Sequence, residues 1–311
     1  MARLTQKVIE SPVRRRKLSR EVLWGYVFVG PWILGFLIFT LGPVLASLGL
    51  SFMDYELISA PTWRGLRNYA ELITQDRLFG VSLYNTIFYT LFSVPLGIIV
   101  AFSLALLLNV QLPGMNVYRT VFYLPAVTAG VAVSLLWIWL FNPQFGLINY
   151  LLRSLGLPGP GWLVDPVWAK PAFILMSVWG VGGTVVIFLA GLQGVPRSLY
   201  EAAEIDGANT LQRFRHVTIP MMTPVIFFNM IVGIIGSFQV FTSAYVMTQG
   251  GPRDATLFYV LYLFKQGFKL LRMGYAAAMA WILFVIIIVL TLIQLRLSRK
   301  WVYYEGELAG E

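Results

Sequence analysis

The sequence contains no cysteine, a single histidine and few charges. Without cysteine there is no disulfide, no thiolate metal site and no cysteine nucleophile. His216 alone excludes a two-histidine metal site or a histidine dyad within the chain. Charged residues make up 12% of the chain, against roughly a quarter in a soluble domain. A G-x-x-x-x-G-K-[ST] phosphate loop occurs nowhere, so the chain does not bind and hydrolyse ATP by that route. No nucleophile and base stand where the apolar segments would bring them together, which argues against an enzyme. Hydrocarbon is what remains: 58% of residues are hydrophobic, with a mean hydropathy of +0.74. This is the composition of a protein that crosses a membrane several times.

The net charge of +9 falls at the ends of apolar runs, which reads as membrane topology and not as a nucleic-acid surface. Residues 1–22 are polar and basic, with Arg14-Arg15-Arg16-Lys17 and Arg20. The apolar run that follows is too long for a removable signal peptide and lacks a small-residue cleavage site. The expectation is a cytoplasmic tail, disordered over Ala2 to Ser11, leading into an uncleaved span. Six spans are expected, at about 24–50, 81–110, 120–141, 171–192, 219–247 and 273–295, each long enough to cross about 30 Å of hydrocarbon. They form one all-α integral membrane domain over 23–297, with a second tail at 298–311. Short helices at the membrane surface are expected near 147–155 and 256–271. Placing both termini in the cytoplasm puts 14 basic residues inside and 9 outside. The Lys265 to Arg272 cluster lies on the outer side and runs against that bias.

None of the six spans contains Asp, Glu, Lys, Arg or His in its interior. Proton- or ion-coupled carriers usually place such residues at mid-membrane, although sodium sites built from neutral oxygens remain open. What the spans do carry is glycine and uncharged polarity. The fourth groups Trp179, Gly180, Gly182, Gly183 and Thr184, and the fifth has Asn229, Gly233, Gly236, Ser237, Gln239, Thr242 and Ser243. Gly233, Gly236-Ser237 and Val240 share one helical face. Close helix packing explains small residues in membranes. A cavity for a neutral, hydroxyl-rich solute explains them together with the amides and aromatics.

The most polar interior segment is Pro196 to Pro220. Ser198 followed by Glu201 matches a capping box, just after Pro196, where a proline costs a helix nothing. Asp206-Gly207 ends that helix, glycine being the usual residue at a left-handed exit. Asn209 or Thr210 can cap a second short helix through Val217, and Pro220 can open the fifth span. The pattern is helix, tight turn, helix, on the cytoplasmic side.

This segment resembles the "EAA" loop of binding-protein-dependent ABC importer permeases, through Glu201-Ala202-Ala203, Asp206-Gly207-Ala208 and Ile219-Pro220. Further matches in order are similar to the carbohydrate-uptake branch of the maltose, lactose and glycerol-3-phosphate type. They are Gly65-Leu66-Arg67-Asn68-Tyr69, Leu124-Pro125, Phe141 to Asn149 and Gly250-Gly251-Pro252. The resemblance implies the type I ABC importer fold in a bacterial-type inner membrane, and a transport subunit without bound cofactor. It also implies a second permease subunit, two ATPase subunits holding ATP and Mg, and an external solute-binding protein. Ser198, Leu199, Glu201, Ala202, Ala203, Asp206, Gly207 and Pro220 would then couple to the ATPase. The family's solute-contacting positions carry over to Trp179, Gly180, Gly183, Gly233, Gly236, Ser237 and Val240, with Gln239 beside them. The solute expected is a sugar or polyol. Glycerol-3-phosphate ranks lower because the spans offer its phosphate no cation, and a lone ion-coupled carrier ranks lower still.

Overall fold

The computed structural model describes residues 20–110 and 112–303, with the backbone alone for 20–23. The expected N-terminal tail and residues 304–311 of the C-terminal one therefore lie outside the described residues. The chain divides into a unit up to Gly49 and a unit from Leu50 onward. In the first, helix α1 (Arg20–Phe36) passes through a π turn (Leu37–Leu41) into α2 (Gly42–Ser51). Pro43 has no N–H to offer and its ring would crowd a carbonyl one turn back. The wider turn answers this, the Gly42 N–H reaching the Leu37 carbonyl.

The second unit opens with a two-stranded ribbon, β1 (Met53–Asp54) against β2 (Thr62–Trp63), followed by α3 (Arg67–Thr74). Asn68, in the G-L-x-N-Y motif, is buried and donates to the Ser51 and Met53 carbonyls. Helix α4 (Arg77–Leu108) is the second span and begins four residues earlier than hydropathy suggests. Asp76 sets that start, its Oδ1 accepting from the N–H groups of Leu78 and Phe79. Such a cap is worth about 1 kcal/mol.

The third and fourth spans are not straight. Helices α5 (Met115–Val127) and α6 (Gly130–Leu140) meet at 97°. Pro125 removes a hydrogen bond in the last turn of α5, and Thr128 and Ala129 are extended. After α7 (Leu147–Ser154), helices α8 (Pro166–Trp179) and α9 (Gly182–Gly194) meet at 47° across Gly180-Val181. The described residues thus contain four apolar stretches long enough to cross a membrane and two bent pairs, six crossings if each pair counts once. Helix α8 also starts before Pro171, so that Lys170 stands near its N-terminal end and not in a loop. The Lys170 Nζ donates to Asn85 Oδ1 at 3.1 Å and lies over the Tyr84 and Phe88 rings.

Beyond the polar segment, α12 (Ile219–Phe238) and α13 (Thr242–Met247) form the fifth span, and α15 (Met273–Ser298) the sixth. Between them lie α14 (Tyr259–Phe264) and a π turn (Lys265–Lys269). One core gathers α4, α8, α14 and α15 around Phe173, Phe258, Tyr259 and Met279. A second, toward the opposite end of α4, sets Ala101 and Ala105 against Val185, Phe188 and Met222. The segment after the Gly250-Gly251-Pro252 turn is pinned to α4. Asn85 donates to the Asp254 and Leu257 carbonyls, and the Tyr259 N–H donates to Thr86.

The basic cluster at 265–272 has partners in this region. Arg272 forms a 2.7 Å ion pair with Glu71, Lys265 donates to the Gln249 carbonyl, and Lys269 sits over the Tyr245 ring. Beside them the second Asp76 oxygen accepts the hydroxyls of Tyr262 and Tyr275 at 2.6 and 2.7 Å. Burial and the Asp76 carboxylate push the Tyr262 phenol above its ordinary pKa. Local structure thus fixes each of the three basic side chains in place.

Candidate functional site

The polar segment forms helix α10 (Arg197–Ile205), a tight turn, and α11 (Thr210–Arg213). Ser198 does not cap it. Pro196 is the N-cap, with φ −59° and ψ 130°, and no side chain closes that end. Fixed in that conformation, the proline starts the helix two residues sooner and leaves Ser198 inside the first turn, out of capping position. The capping box lies at α11, where Asn209 Oδ1 accepts from the Gln212 N–H and Gln212 Oε1 accepts from the Asn209 N–H.

The turn between the helices is as the sequence implies. Gly207 has φ +78°, its N–H donates to Glu204 O at 3.0 Å, and the Ala208 N–H donates to Ala203 O at 2.9 Å. Those two bonds are the Schellman arrangement, which needs a left-handed residue at the turn. Glu204 pairs with Arg213 across it at 3.3 Å, and the Tyr200 hydroxyl meets Thr218 at 3.0 Å. No residue of α10 is buried. Leu199, Ile205 and Leu211 are exposed apolar side chains, Ile205 at 86% and Leu211 at 73%. Ala203, Asp206, Gly207, Ala208, Gln212, His216 and Val217 line a pocket of about 280 Å³ in the crook. Ile205, Leu211 and His216 join this surface although sequence reasoning had not singled them out.

The second helix does not stop before the fifth span. Helix α11 continues through a π turn (Phe214–Thr218) into α12, and Pro220 lies inside the continuous helix. The Ile219 N–H reaches Phe214 O, again the wider turn ahead of a proline.

On α8, α9, α12 and α4 the small and polar residues converge. Gly180, Gly233, Gly236, Ser237 and Val240 line one cavity of about 260 Å³ with Thr184 and Asn229. Its other wall is Tyr89, Ser93 and Gly97 from α4, with Ser177 from α8. Ser237 Oγ lies 2.9 Å from both Thr90 Oγ1 and the Ile234 carbonyl. The lining carries hydroxyls, an amide and a phenol, and no charge. Tyr89, Ser93 and Gly97 were readable as an i, i+4, i+8 stripe in an apolar span. Trp179, Gly183 and Gln239 are not part of the lining. Trp179 stands edge-on to Trp137 at 6.3 Å, a Cβ on Gly183 would meet nothing within 4 Å, and Gln239 closes the end of α12.

Gly182 has a different use: a Cβ there would strike the Phe122 carbonyl oxygen, so it permits α9 to approach α5. A larger groove of about 510 Å³ runs along α4, α12 and α15, lined by Ile87, Leu91, Ile99, Met230, Ile286 and Leu290 among others. Thr90 is its one polar lining residue, so a sugar finds little there to bind.

Bent apolar helices around an uncharged polar cavity, with an exposed helix–turn–helix at one end, are the parts a membrane transport subunit needs. The chain belongs to the family of binding-protein-dependent transport system inner membrane components, whose model matches residues 93–303. It is 45% identical over 298 residues to the probable ABC transporter permease protein YesP of Bacillus subtilis (strain 168), covering 94% of this chain and 96% of that one. To the arabinooligosaccharides transport system permease protein AraP of the same organism it is 35% identical, covering 91% and 90%. Among solved structures it resembles a chain of a bacterial ABC transporter involved in the import of the acidic polysaccharide alginate. That match has a TM-score of 0.78 at 25% identity and covers 90% of this chain and 96% of the other.

Proposed function

We propose that this chain is the permease subunit of an ATP-driven importer for a neutral sugar, oligosaccharide or polyol. The observation that carries the reading is the uncharged, hydroxyl-rich cavity lined by α12, the helix that runs unbroken from the exposed helix–turn–helix. Relatives named for arabinooligosaccharide transport support a saccharide. The lining has no cation for a phosphate, which ranks a phosphorylated polyol lower.

In this reading α10 seats on a partner ATPase, with Leu199, Ala202, Ala203, Ile205 and Leu211 as its apolar contact and Glu201 and Asp206 as polar ones. Their exposure in the isolated chain supports such a partner. ATP and Mg are held by two ATPase subunits, a second permease subunit completes the pore, and an external binding protein delivers the solute. The loop and both termini face the cytoplasm, supported by the distribution of Arg and Lys.

The test is uptake into proteoliposomes containing this chain, its partner permease and ATPase, with binding protein outside and ATP within. Labelled sugar should accumulate only with all components and hydrolysable ATP. Uptake by this chain alone, driven by an ion gradient, would overturn the reading.

A further inference from the structure

Where α4 and α9 end and α5 begins, the molecule has a polar cavity of about 630 Å³ that the transport reading does not use. Asn109, Arg119, Gln193, Arg197 and Tyr200 line it, with no carboxylate among the lining residues. Arg119 is held in place: its Nε and Nη2 donate to the Leu108 carbonyl at 3.2 and 2.8 Å, and its Nη1 to Asn116 Oδ1 at 3.3 Å. A guanidinium has five N–H donors, so the fixed group keeps donors to spare. Arg197, the first residue of α10, is exposed and makes no hydrogen bond or ion pair among the described residues. Two cations thus border one polar hollow without a counter-ion.

The surroundings say what kind of anion fits. Leu107, Val110, Leu112, Val117, Tyr118 and Val121, on the adjoining ends of α4 and α5, are all exposed, from 48% to 68%. A free phosphate or an acidic protein side chain has no use for that apolar flank. A molecule with an anionic head and hydrocarbon tails uses both parts. Basic pockets between membrane helices at the level of the headgroups are suited to such lipids. The geometry points to a binding site for the phosphodiester headgroup of an anionic phospholipid, held by Arg119 and Arg197, with its acyl chains along Leu107, Val117 and Val121.

Native mass spectrometry of the full-length protein tests the site, with phosphatidylglycerol and phosphatidylcholine of identical acyl chains as probes. The wild type should retain phosphatidylglycerol preferentially. At about 1 kcal/mol per basic residue near the surface, and 1.4 kcal/mol per decade, Arg197→Gln should lower that preference roughly fivefold. Combined with Arg119→Gln, the loss should reach about thirtyfold. Arg119 also caps α4, so if the double variant fails to fold, Arg197→Gln alone decides. Lys300→Gln, at another helix end, should change nothing. Equal retention of both lipids, or an equal loss in Lys300→Gln, overturns the site. Displacement of the lipid by millimolar inorganic phosphate reassigns the cavity to a free anion and overturns the lipid claim.

Discussion

Gly207 is where backbone conformation alone is expected to decide function. Its φ is +78°, and a Cβ built on it meets nothing within 4 Å. A substitution there clashes with no neighbour in the chain, so its whole intrinsic effect comes from the left-handed conformation. For an ordinary L-residue that conformation is disfavoured by roughly 1–2 kcal/mol, which shifts a local equilibrium by about 5- to 30-fold. Asparagine tolerates it far better, and a β-branched residue tolerates it least. If the strained turn opens, the bonds from Gly207 N to Glu204 O and from Ala208 N to Ala203 O are lost, and α10 no longer holds its angle to α11. In proteoliposomes with the partner ATPase, sugar taken up per ATP hydrolysed should fall in the order glycine, asparagine, alanine, valine. Basal hydrolysis should persist. Gly207→Val retaining wild-type coupling would refute the turn as the element that transmits. Asparagine failing as badly as valine would show that side-chain volume against a partner matters, and not φ.

Other outcomes follow from particular contacts. Gly236 lines the solute cavity with nothing within 4 Å of its Cβ, so Gly236→Leu should abolish sugar uptake while the assembled complex still purifies intact. Gly182→Ala forces a methyl against the Phe122 carbonyl and should destabilise the protein by about 1–3 kcal/mol, read as a lower melting temperature, whereas Gly183→Ala should be neutral. Asp76→Ala removes the α4 cap and the acceptor of two phenols, a loss of at least about 2 kcal/mol; an unchanged melting curve would remove Asp76 from the framework. With its folded-state pKa raised, Tyr262 contributes stability that is complete below the ordinary phenol value of 10.0 and fades as pH climbs above it. Alkaline melting should therefore be shallower in Tyr262→Phe.

Hydropathy located every span because it measures how much hydrocarbon a segment carries. It is blind to direction, which is why the 97° break at Thr128-Ala129 and the 47° bend at Gly180-Val181 appear only in three dimensions. Lys170 lay just outside the apolar run and inside the helix, since Asp165 caps α8 and Pro166 starts it. The capping motif at Ser198 failed for a nearby reason. Two cap signals competed, and the proline's fixed φ acted two residues earlier than the hydroxyl could. Gly207, by contrast, was legible because only one residue type suits that turn. In the cavity, glycine and serine marked the α12 wall, while the α4 wall of Tyr89, Ser93 and Gly97 was overlooked in a span dominated by apolar residues. Trp179 and Gln239 were carried over by likeness of position, and their surroundings place them outside the lining.

The unbroken run from Thr210 to Phe238 has a mechanical consequence. At 1.5 Å per residue it is a rod of about 40 Å, with the Gly207 turn at one end and Gly233, Gly236 and Ser237 at the other. A loop in series would absorb a push as slack. A helix conveys it as displacement, with compliance at the π turn of Phe214–Thr218 and at Pro224, which lies inside α12 and leaves one backbone hydrogen bond unmade. In the proposed importer, a stroke delivered at Gly207 would reach Ser237 less whatever those two points take up, so their stiffness would set the gearing.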